Sequence, residues 1–168
     1  MVKEIKGMKR KIFVHSERCT GCMICMMACC FRKSNTFNPA RSRIRIINWE
    51  EKGAIVPILC QHCEEPVCLP CCPVEAISKD VETGLVEINR DICINCNMCR
   101  KACPFGGPSL DPVAEEVVIC DLCKGDPACV STCPTAALEY TEVDSSSLVN
   151  RRKGMGEIRK TVLKLEGA

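Results

Sequence analysis

Cys93-Ile94-Asn95-Cys96-Asn97-Met98-Cys99-Arg100-Lys101-Ala102-Cys103-Pro104 sets three cysteines with two residues between each, then a fourth after three more residues, directly before a proline. An iron–sulfur cube presents its irons at tetrahedral corners. Three closely spaced thiolates can wrap one face, and the fourth must come from elsewhere. In two-cluster proteins the Cys before the proline serves the neighbouring cube. Outward from this run the pattern recurs as Cys19, Cys22, Cys25 and Cys29, as Cys60, Cys63, Cys68 and Cys72, and as Cys120, Cys123, Cys129 and Cys133. The first group keeps the tight spacing. In the second and fourth, four residues separate Cys63 from Cys68 and five separate Cys123 from Cys129, and a longer loop can still deliver the third thiolate. The closing C-x₃-C-P survives at Cys68/Cys72-Pro73 and Cys129/Cys133-Pro134, whereas the first group ends in Cys29-Cys30 without proline. Register therefore selects Cys29 over Cys30, and the following proline selects Cys72 over Cys71. Cys30 and Cys71 are expected to be small buried hydrophobes, with a spare-ligand role as the alternative.

Eighteen cysteines in 168 residues lie far outside ordinary usage, and with them set aside only about a third of the chain is apolar, with six aromatic residues. Such a core is thin, so the clusters are expected to supply much of the scaffold. Disulfides are the competing explanation, but the lysine-rich start from Met1 to Lys11 has no apolar run behind it, and no stretch approaches the roughly 20 apolar residues of a membrane span. The expectation is a cytoplasmic chain with reduced thiols. Zinc explains any single C-x₂-C but not four sets of four closing on Cys-Pro. The formal charge of +2 counts cysteines as neutral. Four cubes, each about −2 with its thiolates, move the net charge to about −6, which argues against nucleic acid as a partner.

The fold class expected is α+β, built from a repeated strand, cysteine loop and short helix. Pro73-Val74-Glu75-Ala76 and Pro134-Thr135-Ala136-Ala137 mark the repeat. Candidate strands are Lys11–His15, Arg43–Asn48, Ala54–Leu59, Gly84–Asn89, Val117–Cys120 and Leu138–Glu142, and candidate helices are Met23–Arg32, Val67–Cys71, Asn97–Cys103 and Ala128–Thr132. Ser34 to Arg45 reads as an irregular arm or solvated edge strand with a turn at Asn38-Pro39, and a docking surface is the alternative. Beyond Asp144-Ser145-Ser146-Ser147, the residues Leu148, Met155, Ile158, Val162 and Leu165 fall on one helical stripe, so the tail over 143–168 is expected to dock on a partner. His62, inside the second group, is either a surface histidine or a donor to a cluster sulfur, and His15 is assigned no role. No GxGxxG or GxxxxGK[ST] run and no nucleophile with a base are present, so nothing points to catalysis within this chain.

With Cys19-Thr20-Gly21-Cys22-Met23-Ile24-Cys25, Asn38-Pro39-Ala40-Arg41-Ser42-Arg43-Ile44, Cys60-Gln61-His62-Cys63 and Gly125-Asp126-Pro127-Ala128-Cys129, the chain resembles four-cluster ferredoxin-type electron-transfer subunits from about Lys11 to Glu142. The Arg-rich arm, the Gly-Asp-Pro element and the tail look most like small subunits of tungsten aldehyde oxidoreductase-type enzymes, including class II benzoyl-CoA reductase. More distant relatives serve molybdopterin enzymes, hydrogenases and carbon monoxide dehydrogenase.

The resemblance implies two nested ferredoxin-like units within residues 1–142, an outer one from about 11–32 and 115–142 and an inner one from about 54–112. It implies cluster A on Cys19, Cys22, Cys25 and Cys133; cluster B on Cys120, Cys123, Cys129 and Cys29; cluster C on Cys60, Cys63, Cys68 and Cys103; and cluster D on Cys93, Cys96, Cys99 and Cys72. The missing proline after Cys29 departs from the two-cluster run. The expected function is to carry single electrons through four [4Fe–4S] clusters to or from a large tungsten-pterin catalytic subunit, with a further electron-transfer subunit or soluble ferredoxin at the other end. The alternatives are a subunit of a molybdopterin, hydrogenase or carbon monoxide dehydrogenase complex, or a free-standing polyferredoxin.

Overall fold

Four separate two-stranded antiparallel ladders, linked by the cysteine loops and three short helices, make up the fold in a computed structural model that describes residues 10–50 and 53–143. In chain order these are β1 (Arg10–Val14), α1 (Ile24–Ser34), β2 (Arg45–Trp49), β3 (Ala54–Ile58), β4 (Ile77–Lys79), β5 (Val86–Ile88), α2 (Met98–Ala102), β6 (Ser109–Asp111), β7 (Glu116–Val118), α3 (Ala128–Ser131) and β8 (Leu138–Glu142). β2 pairs with β3, β4 with β5 and β6 with β7, while β1 reaches across the whole described chain to β8, with Arg10 opposite Glu142 and Val14 opposite Leu138. Elements this short are marginal alone and depend on packing. One core gathers Ile12, Ile44, Leu59, Leu122 and Leu138 around Cys25, Cys29, Cys120 and Cys129. A second gathers Ile77, Val86, Val117 and Ile119 around Cys68 and Cys99, and Cys60 packs against both.

Several expectations are corrected. Val67–Cys71 is a run of turns and not a helix. Pro70 within it has no N–H to give, and the backbone closes three-residue turns instead, from Leu69 N–H to the Pro66 carbonyl and from Cys72 N–H to the Leu69 carbonyl, both at 3.1 Å. Two strands were not expected, β4 and β6. Each is three residues long and partners an expected strand, and in β6 the inward residues are polar, Ser109 and Asp111, which removes the apolar signal. The arm before β2 is pinned and is not a solvated edge strand. Asn38 Oδ1 accepts from Ala40 N–H at 3.1 Å to start a 3₁₀ turn at Pro39–Arg41, and Ser42 and Ile44 are buried. Arg41 Nε bonds both Asp111 oxygens, at 2.9 and 3.1 Å, tying the arm to β6. Asp111 also accepts the N–H groups of Val113 and Ala114, closing the β6–β7 turn, and Arg41 holds its carboxyl below the usual range against the opposing effect of burial. The expected tail helix lies outside the described residues. Among the described residues, no helix is long and apolar enough to cross a membrane.

Candidate metal centres

A C-x₃-C spacing on a helical turn puts two thiols on one face, one turn apart. α1 uses this to present Cys25 to one cavity and Cys29 to the next, and α3 with its C-terminal residues does the same with Cys129 and Cys133 in the opposite sense. The result is four cavities. Cavity A is lined by Cys19, Cys22, Cys25 and Cys133, cavity B by Cys29, Cys120, Cys123 and Cys129, cavity C by Cys60, Cys63, Cys68 and Cys103, and cavity D by Cys72, Cys93, Cys96 and Cys99. The structure thus brings together the same four sets named from the sequence. Among the described residues, no three His, Cys, Asp or Glu side chains are gathered closely enough to hold a single metal ion. A zinc ion with bonds of about 2.3 Å would need its four sulfurs drawn that close. Four thiols lining one cavity suit a cube, with one thiolate for each iron.

The loops wrap because their backbone turns left-handed at one repeated position. In Cys-x-x-Cys the second intervening residue has positive φ in all four groups: Gly21 at 72°, His62 at 45°, Asn95 at 52° and Leu122 at 52°. Gly21 and Asn95 suit that conformation, while His62 and Leu122 carry no such sequence signal. The side chains also anchor the loops. Asn95 Oδ1 accepts from Val117 N–H at 3.0 Å, and His62 Nδ1 accepts from Val86 N–H at 3.0 Å, so loops D and C hang from β7 and β5. His62 is only 1% exposed, which corrects the surface reading. Its Nδ1 lies 3.9 Å from Cys60 Sγ, but as the acceptor of the Val86 N–H it has no proton to donate to that sulfur. His15 lies between two carboxylates, its Nε2 3.1 Å from Glu139 Oε2 on β8 and its Nδ1 3.4 Å from Glu17 Oε1.

The fourth cysteine of each group meets a different environment. Three residues past it, the chain again turns left-handed, at Glu75, Gly106 and Ala136, and the next N–H swings back toward the sulfur. Ala76 N–H donates to Cys72 Sγ at 3.2 Å and Gly107 N–H to Cys103 Sγ at 3.3 Å, and the Leu138 and Ala137 N–H groups outweigh burial to hold Cys133 below its usual pKa. Cys29, which lacks the proline, instead receives Arg43 N–H from the arm at 3.4 Å. At Cys133 such bonds favour the thiolate.

The third cysteines are the opposite case. Burial, then neighbouring sulfurs, pushes Cys25 up to about 11, Cys68 to about 12, and Cys129 higher. Burial likewise pushes Cys120 to about 12 and Cys60 higher. Without iron these thiols stay protonated, so a cation must displace the proton.

Neighbouring cavities touch in sequence. α1 joins A to B through Cys25 and Cys29, Cys60 of C packs against the core that holds Cys120 and Cys129 of B, and the Cys68–Cys72 turn joins C to D. The order is therefore A, B, C, D. The exposed cysteines are Cys22 and Cys96, one in each end cavity. Cys30 is fully buried with its Sγ donating to Met27 O at 3.1 Å, and Cys71 donates to Cys68 O at 3.3 Å; neither lines a cavity described above.

Residues 51–143 match the family model described as a 4Fe–4S dicluster domain. The chain is 38% identical over 125 residues to the NADH-dependent phenylglyoxylate dehydrogenase subunit beta of Aromatoleum evansii, covering 73% of this chain and 28% of that relative. It is 38% identical over 132 residues to the aliphatic sulfonate oxidoreductase, polyferredoxin-like subunit, of Pyrococcus furiosus, covering 79% and 76%. Among solved structures, the active site complex BamBC of benzoyl coenzyme A reductase with benzoyl-CoA shares the fold, with a TM-score of 0.50 at 22% identity over 95% of this chain and 96% of that one. The chain spans less than a third of the first relative's length. With cysteine-lined cavities, matching loops and these relatives together, the chain belongs to the 4Fe–4S dicluster domain family and its cofactors are [4Fe–4S] clusters.

Proposed function

We propose that the chain is a non-catalytic electron-transfer subunit that passes single electrons through four [4Fe–4S] clusters. Cluster A sits on Cys19, Cys22, Cys25 and Cys133, B on Cys29, Cys120, Cys123 and Cys129, C on Cys60, Cys63, Cys68 and Cys103, and D on Cys72, Cys93, Cys96 and Cys99. The carrying observation is that these sets line four cavities, four cysteines to each, with an exposed cysteine in A and another in D. The clusters supply the redox chemistry, and the protein fixes their order and surroundings. The β1–β8 pairing supports an outer A/B unit closed around an inner C/D unit.

The partner in this reading is a larger catalytic oxidoreductase subunit. Support comes from the relatives, which are named as subunits of a dehydrogenase and of a sulfonate oxidoreductase. A tungsten-pterin partner is the finer form of the proposal and rests on the Asn38 to Arg43 arm and the Gly125-Asp126-Pro127 element. A cytoplasmic setting, where thiols stay reduced, belongs to the same reading.

Anoxic affinity purification from the native cell, with the companion chains and metals identified, tests it. A large chain with tungsten is the expected result, and molybdenum or nickel would shift the partner class. Iron on a chain that elutes alone would replace the subunit by a free polyferredoxin. About sixteen irons per chain are expected, and far fewer would sink the four-cluster reading.

A further inference from the structure

The four cavities differ in the charged groups in and just behind their walls. Cavities A and D, at the ends, have no ionisable side chain in their walls other than cysteine, although Arg100 donates to Asn97 Oδ1 in the wall of D at 2.9 Å. Cavity B has Lys33 and Arg43. Their charged nitrogens lie 2.7 and 2.8 Å from the two oxygens of Asp121, at 17% and 22% side-chain exposure, so two cations face one carboxylate. At cavity C, Lys11 Nζ donates to the His62 carbonyl at 2.6 Å, between Cys60 and Cys63, and shares Glu64 with Lys79, again two cations on one carboxylate. Arg45 donates to the Gly106 carbonyl, beside the N–H that bonds Cys103 Sγ. These cations stand behind the wall of C, and Glu65, the one ionisable group besides cysteine in that wall, opposes them.

Reduction adds one electron, and no proton, to a cube that with its thiolates is already about −2. Burial opposes that step, and a nearby excess cation favours it, more strongly where water is excluded.

We infer that the inner clusters B and C are the electron-holding sites of the chain, with reduction potentials above those of A and D, and that Lys33, Arg43, Lys11 and Arg45 are the positioning residues that set this order. Two electrons then rest in the interior while the end clusters stay oxidised and ready to pass. The inference rests on the four-cluster reading above.

The test is a dithionite titration of the full-length, iron-loaded chain followed by electron paramagnetic resonance. Cys22→Ser and Cys96→Ser mark the signals of A and D by altering them. Two centres untouched by those variants are expected to reduce first. Lys33→Met and Arg45→Met should each weaken reduction of one inner centre by tenfold or more, about 59 mV for a one-electron couple, and leave the others in place. Lys33→Arg and Arg45→Lys should restore it, and the exposed Lys101→Met should move none. End centres reducing first would overturn the inference, as would Lys33→Met and Arg45→Met variants that keep their iron with unshifted potentials. Should one variant fail to bind iron, the other and the parent order still decide. Iron far below sixteen in the parent chain would overturn the cluster reading itself, and the inference with it.

Discussion

At the scale of single residues, burial divides the cysteines into those that react and those that wait. In the iron-free chain, iodoacetamide at pH 8 should label Cys22 and Cys96 first, because they are exposed, and Cys60, Cys68, Cys120 and Cys129 last. Cys68, Cys120 and Cys129 are buried and Cys60 half-buried, and burial holds all four as thiols. Peptide mass spectrometry over time checks the order, and early labelling of Cys120 would contradict it. The register argument makes a matched pair of predictions. Cys99→Ser should damage cluster D and lower bound iron, while Cys30→Ser should leave iron unchanged, since a serine hydroxyl can take over the bond to the Met27 carbonyl. Iron analysis of both variants side by side decides. Spacing was enough to find all sixteen cavity-lining cysteines, because a cube imposes short-range geometry on the chain. His62, Lys11 and Arg45 were not legible. Their roles depend on residues more than 20 positions away, which no local pattern encodes.

At the scale of elements, the left-handed turns carry the strain. Glu75 is exposed with φ near 52°, while the equivalent place after Cys103 is Gly106. Glu75→Gly should raise stability by about 0.5–1 kcal/mol, the relief of a left-handed L-residue less glycine's greater loss of backbone freedom. Thermal melting of the loaded chain measures it, and a drop in melting temperature would show that the side chain matters more than the backbone. Gly107 is a sharper case. A Cβ there would sit 2.9 Å from the Cys60 Cα, and backbone cannot step aside cheaply. Gly107→Ala should therefore displace Cys60 and lower iron by about four per chain, with cluster C lost and the others kept. Full iron content in that variant would show that the loop can yield. The long elements were readable from sequence, since α1 and β8 fall within two residues of expectation. The failures are physical. Proline broke a cysteine-bearing helix pattern at Pro70, and β6 hides because its buried residues are Ser109 and Asp111.

At the scale of the whole molecule, the cavities replace a conventional core, since the two larger apolar clusters are built around cysteines. Removal of iron should therefore loosen the entire fold and not one corner of it. The chelated, anoxic chain is expected to show broadened amide resonances throughout residues 10–143, and a preserved native spectrum would mean that the short ladders suffice alone. Repetition of the cysteine groups announced the four centres, but the join between β1 and β8 was legible only through likeness to other proteins, because it links residues about 130 positions apart. That join has a consequence for how the protein is made. Cys19 emerges early from the ribosome and Cys133 late, and cavity A cannot close until both are out. The cavities that need only Cys60 to Cys103 can form while the last ladder is still unmade. A chain released before residue 133 could carry C and D but would lack A. Loading order is then written into the path of the backbone, from the D end of the row toward A.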